Sequence, residues 1–325
     1  MTDTTGLLGI SNAIVDVLAH VDEEFLARIG APRGSMTLID EARAHEIYAM
    51  MGPATKMSGG SVANSVAGFA NLGAAAAYIG RVKADQLGEI FVHDMQSLGV
   101  DIRLQPASGG SPTARCHVLI DQEGQRTMQT YLGACTELSV SDVSVDTVGS
   151  PRVILIEGYV WDIAEGPALA AEAMRIAKTT GSKVALSLSD SFCVERHRDA
   201  FHDAVRDGVD IVVADEDEVN KLLLSEDFEE TTRQLAGYDN LFAITRSEKG
   251  SVILHDGQVI EQPATTIETI VDTTGAGDAY TAGFLFGYAQ ENPLQECAKL
   301  GTYCASRVIQ QVGARIERGL LDSYT

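Results

Sequence analysis

The chain has 325 residues, 45% hydrophobic and 22% charged, a composition that excludes disordered and fibrous classes and allows a substantial core. Its 24 basic residues against 46 acidic ones give a net charge of −22, which disfavours nucleic acid as a partner. Any phosphate must therefore be held locally, by backbone N–H groups, a metal ion or a few cations. No apolar run reaches the ~18 residues of a membrane span. The opening Met1-Thr2-Asp3-Thr4-Thr5 lacks the positive region of a signal peptide. A cytoplasmic protein with no membrane partner is expected. Its five cysteines contain no C-x-x-C pair and read as reduced, buried thiols.

In chain order, Leu7 to Ile10 is a short apolar strand. Ser61 to Leu72 sets Val62, Val66 and Phe69 on one helix face, stopped by Gly73. Ala75 to Ile79 reads as a strand, and Phe91, Met95 and Leu98 mark a helix ended by Gly99. Val153-Ile154-Leu155-Ile156 is an unbroken apolar run, the mark of a strand buried on both faces. A helix follows from Pro167 to Thr180, then strands at Val184 to Leu188, Ile211 to Val213 and Leu241 to Thr245. Helices from Ala276 to Gln290 and Pro293 to Gln311 close the pattern. The alternation predicts an α/β fold with a mostly parallel sheet flanked by helices. Val15 to Asp40 and Thr113 to Tyr131 break it with strand-like periodicity, the second around a turn at Ile120 to Gln125. Such insertions predict a small sheet beside the main one.

The sharpest motif is Asp272-Thr273-Thr274-Gly275-Ala276-Gly277-Asp278, where a loop of small residues becomes a helix. The first N–H groups of a helix lack internal partners and, with the helix dipole, favour an anion. Asp278 in the first turn reads either as a capping acid or as a group working on that anion. No Gly-Lys-Ser/Thr follows, so this is not a Walker loop, and it is not a dinucleotide fingerprint. The acidic run Asp215-Glu216-Asp217-Glu218 offers hard oxygen ligands of the kind magnesium takes, or simply a helix start with favourable charges. Tyr159 and Trp161, just past a strand end, either stack on a base or pack in the core.

The motif resembles the C-terminal signature of the ribokinase-like (PfkB) carbohydrate and nucleoside kinases. Their N-terminal signature has its likeness in Ser58-Gly59-Gly60-Ser61-Val62-Ala63-Asn64, continuing to Leu72-Gly73 and Ile79-Gly80. The resemblance covers essentially the whole chain. It implies one ribokinase-like domain over 1–325, with a discontinuous β lid from about 13–40 and 113–131. Within the family the nearest likeness is to adenosine kinases. It rests on Asn12-Ala13-Ile14-Val15-Asp16, Leu186-Ser187-Leu188-Ser189, and Tyr303-Cys304-Ala305-Ser306 through Val312-Gly313.

Carried over, the resemblance makes Asp278 the catalytic base for the acceptor hydroxyl. Gly275, Ala276 and Gly277 would face the transferring phosphoryl group, with Arg126 approaching it. Asn12, Asp16, Gly59, Gly60 and Asn64 would hold the sugar. Thr245 and Gly250 would lie near ATP, with Gly275 and Gly277. Glu218 and Asp215 would hold Mg²⁺ through water, and Asp272 would lie near a K⁺ ion. Two departures stand out: Asp215 replaces the asparagine of the family's Asn-x-x-Glu, and Ser247 replaces the glycine of Thr-x-Gly-x-x-Gly. The implied activity is ATP-dependent phosphorylation of a ribose-containing nucleoside, adenosine first. A sugar kinase acting on ribose, fructose or a keto-deoxy sugar acid is the alternative, and a catalytically silent nucleoside sensor a third. The expected partners are the small substrate and ATP, with a homodimer through the lid.

Overall fold

The computed structural model describes residues 5–324. Its larger sheet has nine strands. Seven are parallel, in the order Leu241–Thr245, Ile211–Asp215, Lys183–Ser187, Val153–Glu157, Leu7–Ile10, Ala76–Ile79, Val100–Ile102. An antiparallel hairpin, Ser251–His255 and Gln258–Gln262, adds the edge. The parallel strands read as unbroken apolar runs because both faces are buried. Leu8, Ile10, Ile154 and Ile156 enter one core, and Leu7, Val153 and Leu155 the other.

Leu7–Ile10 pairs with Ala76–Ile79 on one side and Val153–Glu157 on the other. The chain winds outward in both directions from that central strand. Such a switch point opens a crevice beyond the carboxyl ends of its strands. Glu157 ends its strand there, and Asn12 follows the end of the neighbouring one.

The predicted helix face of Val62, Val66 and Phe69 is fully buried on helix Ser61–Asn71. The helix predicted from Pro167 runs Gly166–Thr180 and ends on left-handed Gly181. The two C-terminal helices are Ala276–Ala289 and Leu294–Val308, so the second stops three residues short of the predicted Gln311.

A second sheet of five strands sits beside the first, in the order Met36–Leu38, Arg126–Tyr131, Ala114–Ile120, Ile14–His20, Thr55–Gly59. It corrects the reading of Val15 to Asp40 as strands alone. Between strands Ile14–His20 and Met36–Leu38 lies helix Glu23–Arg28, where Asp22 accepts the N–H of Phe25 at 2.8 Å as its cap. Strand Thr55–Gly59 has no sequence counterpart among the expected elements. It is short and largely polar, and only pairing with Ile14–His20 makes it a strand. One face of this sheet is covered by helices Glu23–Arg28 and Glu41–Met50, through Phe25, Leu26, Ile29, Ile47 and Leu119. The other carries Asp16 with Cys116, Val118 and Ile120, and with partly buried Ile14, Leu18 and Met128. Among the described residues no helix is long and apolar enough to cross a membrane.

Helices Ala276–Ala289 and Leu294–Val308 pack most closely at Gly283. A Cβ there would lie 2.7 Å from the Leu300 carbonyl and 2.8 Å from Cys304 Sγ. In an exposed helix, Gly→Ala stabilises by about 0.5–1 kcal/mol. Here overpacking reverses the sign: Gly283→Ala should destabilise by about 1–3 kcal/mol. Urea unfolding should read this as a lower midpoint with unchanged slope.

Candidate active site

The loop Asp272 to Thr274 runs into helix Ala276–Ala289, whose capping residue Gly275 has φ 76°. A side chain there would be strained and would also strike Ala314, whose Cβ lies 2.3 Å from the Cβ position. The N–H of Ala276 donates to the Thr273 carbonyl at 3.2 Å, which tightens the turn. Asp278 follows in the first turn.

Its carboxylate joins two helices. Oδ1 accepts from Ser61 Oγ at 2.7 Å, and Oδ2 from Asn64 Nδ2 at 2.9 Å. Ser65 Oγ donates to the Asp278 carbonyl at 3.1 Å. Burial raises the Asp278 carboxyl above its ordinary value, opposed by those side-chain hydrogen bonds and by the charge of Arg315.

Asp16 lies on the face of the small sheet opposite its two helices, in register with Met57 and Cys116. Gly59 lets it sit against the main chain: a Cβ at Gly59 would lie 2.3 Å from the carboxylate. Burial pushes Asp16 up to about 6, against the pull of Arg315 and Arg126.

Asn12 is buried. Its backbone N–H donates to Glu157 Oε2 at 3.0 Å, and its side-chain Oδ1 has no partner. The other oxygen of Glu157 accepts the Val62 N–H at 3.2 Å, at the start of helix Ser61–Asn71. A carboxylate at a helix N-terminus satisfies an orphan donor. Burial nevertheless pushes Glu157 up to about 7.

A cavity of about 930 Å³ opens on the other side of Asp278, lined by Asp215, Glu218, Thr245, Ser247, Gly250 and Gly275 to Asp278. Such a volume suits a nucleotide. Asp215 caps helix Glu216–Leu223: it accepts the Glu218 N–H at 2.8 Å, and Glu218 accepts the Asp215 N–H at 2.9 Å. Buried Glu218 is pushed up to about 8 by desolvation and by the charge of Asp215. Two carboxyls that repel each other on a cavity wall, with oxygen donors only, fit a magnesium ion. Ser247 adopts φ 50°, the left-handed conformation that its family counterpart, glycine, takes without strain.

Arg126 reaches from the small sheet to Asp272, and the two form an ion pair. Asp272 also accepts the N–H groups of Gly313 at 2.8 Å and Thr274 at 3.1 Å. Both of its oxygens are engaged and a guanidinium already stands against them. These residues do not fit a potassium ion.

Thus Asp278, Ser61 and Asn64 meet directly, while Asp215, Glu218, Thr245 and Gly250 share the cavity with Asp278. Asn12, Asp16, Gly59, Gly60 and Asn64 do not line that cavity. Trp161 is core, edge-on to Phe201 with ring centroids 5.2 Å apart, and the Tyr159 hydroxyl bonds Asp190. Neither stacks in the cavity.

Sequence reasoning missed Glu157 and Arg315. Glu157 had a signal, a carboxylate directly after an unbroken apolar strand. Arg315 had none. It donates to the Ser58 carbonyl at 2.6 Å, to Ser58 Oγ at 2.9 Å and to the Ala63 carbonyl at 3.1 Å, which sets its charge beneath Asp16 and Asp278.

An anion-ready helix start, a carboxylate beside it, and a nucleotide-sized cavity with acidic metal-type donors define a phosphotransferase. Residues 43–318 match the pfkB family carbohydrate kinase model, and the chain belongs to that family. Its members are ATP-using phosphotransferases with alcohol acceptors. The crystal structure of adenosine kinase from Sinorhizobium meliloti is 45% identical with a TM-score of 0.91, covering 98% of each chain. That of a probable sugar kinase protein from Rhizobium etli CFN 42 is 43% identical with a TM-score of 0.91, covering 99% of this chain and 98% of that one. Adenosine kinase 2 of Arabidopsis thaliana is 25% identical over 94% of each chain.

The Glu157 carboxyl yields a pH test. Unfolded, it titrates near its ordinary 4.5; folded, near about 7. Between those values the unfolded chain releases a proton that the folded chain keeps, so stability falls as pH rises through the window. At about 1.4 kcal/mol per pKa unit, Glu157→Gln should remove up to about 3 kcal/mol of this decline relative to wild type. Chemical denaturation from acid to neutral pH measures the difference.

Proposed function

We propose that the protein is an adenosine kinase, transferring the γ-phosphoryl group of ATP to the primary hydroxyl of adenosine to give AMP and ADP. The observation that carries this reading is the face of the small sheet turned away from its two helices. Asp16 stands there beside Ile14, Leu18, Cys116, Val118 and Met128. A carboxylate can accept from both hydroxyls of a cis-diol, and the apolar wall suits a flat base. A free sugar, with hydroxyls around its ring, has no flat base to lay on it. The solved adenosine kinase from Sinorhizobium meliloti supports the same reading. The likeness to the Rhizobium etli probable sugar kinase protein keeps sugar phosphorylation as the second reading.

In the proposed mechanism the ribose lies between Asp16 and Asp278, with Asn12, Gly59, Gly60 and Asn64 around it. Its hydroxyl takes the place of Ser61 or Asn64 at the Asp278 carboxylate. As the new O–P bond forms and the bond to ADP breaks, the hydroxyl proton passes to Asp278. A carboxyl raised by burial is a better base near neutrality than a solvated one. Gly275, Ala276 and Gly277 present the start of their helix to the charge on the moving phosphoryl group. Thr245 and Gly250 border the nucleotide. Asp215 and Glu218 would hold a magnesium ion, which would supply neutralisation of the phosphate charge. Arg126, paired with Asp272, gains a second anionic partner in the phosphoryl group. The small sheet acts as a lid on this one-domain kinase, closing over the sugar and excluding water.

Asp278→Asn has the same shape and keeps one side-chain oxygen to accept from Ser61 or Asn64, so the fold should survive. Turnover should drop by ~10²–10⁴, the usual worth of a positioned base. Near-wild-type turnover of the folded variant sinks the assignment.

ADP release with adenosine, ribose and a keto-deoxy sugar acid discriminates the two readings: adenosine should lead by kcat/KM. Asp16→Ala should lose more with adenosine than with 2′-deoxyadenosine, because each charged hydrogen bond contributes about 1.5–3 kcal/mol. Strictly additive losses in that cycle would mean Asp16 does not meet the 2′-hydroxyl.

A further inference from the structure

Two elements leaving the carboxyl ends of neighbouring strands meet away from the nucleotide cavity. The turn Gly158–Asp162 follows strand Val153–Glu157, and helix Ser191–Asp207 follows strand Lys183–Ser187. Where they touch, a carboxylate oxygen of Asp162, Cys193 Sγ and a ring nitrogen of His197 lie within 4.8 Å of one another. His197 Nε2 is 2.6 Å from Asp162 Oδ1. Cys193 and His197 are four residues apart on one helix, so they share a face.

The helix leaves helical geometry at His197 itself, with φ −119° and ψ 18°. Two helical stretches meet at this kink, and it carries the His197 ring onto Asp162 of the neighbouring turn. Cys193 is fully buried, while the side chains of His197 and Asp162 are 22% and 27% exposed. The cluster is therefore closed on its sulfur side and open to solvent on the other.

We infer that Asp162, Cys193 and His197 form a binding site for a divalent metal ion of borderline softness, of which zinc is the type. Sulfur and imidazole select against magnesium and calcium. One sulfur, one nitrogen and one oxygen ligand, with a position left for water, make a zinc coordination set. Tetrahedral bonds of about 2.0–2.3 Å set ligand atoms roughly 3.3–3.7 Å apart, so the His197–Asp162 pair opens by under an ångström to admit the ion while wider gaps in the cluster close by about as much. The Cys193 thiol proton and the proton shared by His197 and Asp162 leave to solvent, and nothing is oxidised or reduced.

Arg196 competes for the same carboxylate, donating to Asp162 at 3.1 and 2.7 Å. Its side chain is 49% exposed and free to swing away. The bound metal would clasp the turn to the helix. That turn continues directly from Glu157, which holds Asn12 and Val62 on the substrate side. The site would stiffen the floor of the proposed active site without entering its chemistry.

The test is cobalt(II) titration of the whole chain after stripping with a chelator. One equivalent should bind, with a near-ultraviolet thiolate-to-cobalt band that one equivalent of zinc displaces. Cys193→Ser should abolish the band. Asp162→Asn and His197→Gln should weaken binding by more than the about 10–100-fold that losing an outer-shell partner costs. Arg196→Gln removes only the competitor and should tighten it. Zinc should raise the Tm of wild type and leave that of Asp162→Asn unchanged. Should Cys193→Ser fail to fold, Asp162→Asn, with its partly exposed side chain, decides the matter. No thiolate band in folded wild type, or an undiminished band in Cys193→Ser, overturns the site.

Discussion

The Asp278 carboxylate holds together parts of the chain that have no sequence proximity. It accepts from Ser61 and Asn64 on helix Ser61–Asn71 while belonging to the first turn of helix Ala276–Ala289. Both helices pack on one face of the large sheet, through Val62, Val66, Tyr280 and Phe284. The hydrophobic contact brings the helices together, and the carboxylate sets their register. Everything proposed for the chemistry follows from that junction. On one side lies the nucleotide-sized cavity, and on the other the small sheet with Asp16.

The site concentrates carboxyls whose protons are hard to remove. Glu157 is pushed to about 7, Asp16 to about 6 and Glu218 to about 8, each first by burial. In a chain of net charge −22, this clustering works against stability. Arg315 and Arg126 offset part of it from opposite sides, one under the main sheet's crevice and one from the small sheet. Such groups recur at functional sites because a perturbed proton affinity is what proton transfer and cation binding require.

The two departures from the family motifs have different structural weight. Asp215 does what an asparagine would do as a helix cap, because both side chains accept from the N–H at the third helical position. What it adds is charge, which raises Glu218. Ser247 instead takes up a left-handed backbone, so the turn beside the nucleotide cavity keeps its shape at a cost in local strain.

The α/β alternation was legible in the sequence because strands buried on both faces are unbroken apolar runs and amphipathic helices repeat every 3.6 residues. The glycine-rich start of helix Ala276–Ala289 was legible too, since loop, small residues and first-turn acid are local features. The small sheet was only half legible. Asp22 capping a helix and the polar strand Thr55–Gly59 carry signals that periodicity alone does not separate from loops. Long-range contacts were decided by the tertiary structure alone. They include Arg315 beneath Asp16, Glu157 receiving the N–H groups of Asn12 and Val62, Arg126 turned onto Asp272, and Trp161 packed into the core. A local pattern is written in neighbouring side chains, whereas which distant charge or ring meets which depends on how helices and strands pack once water has been excluded.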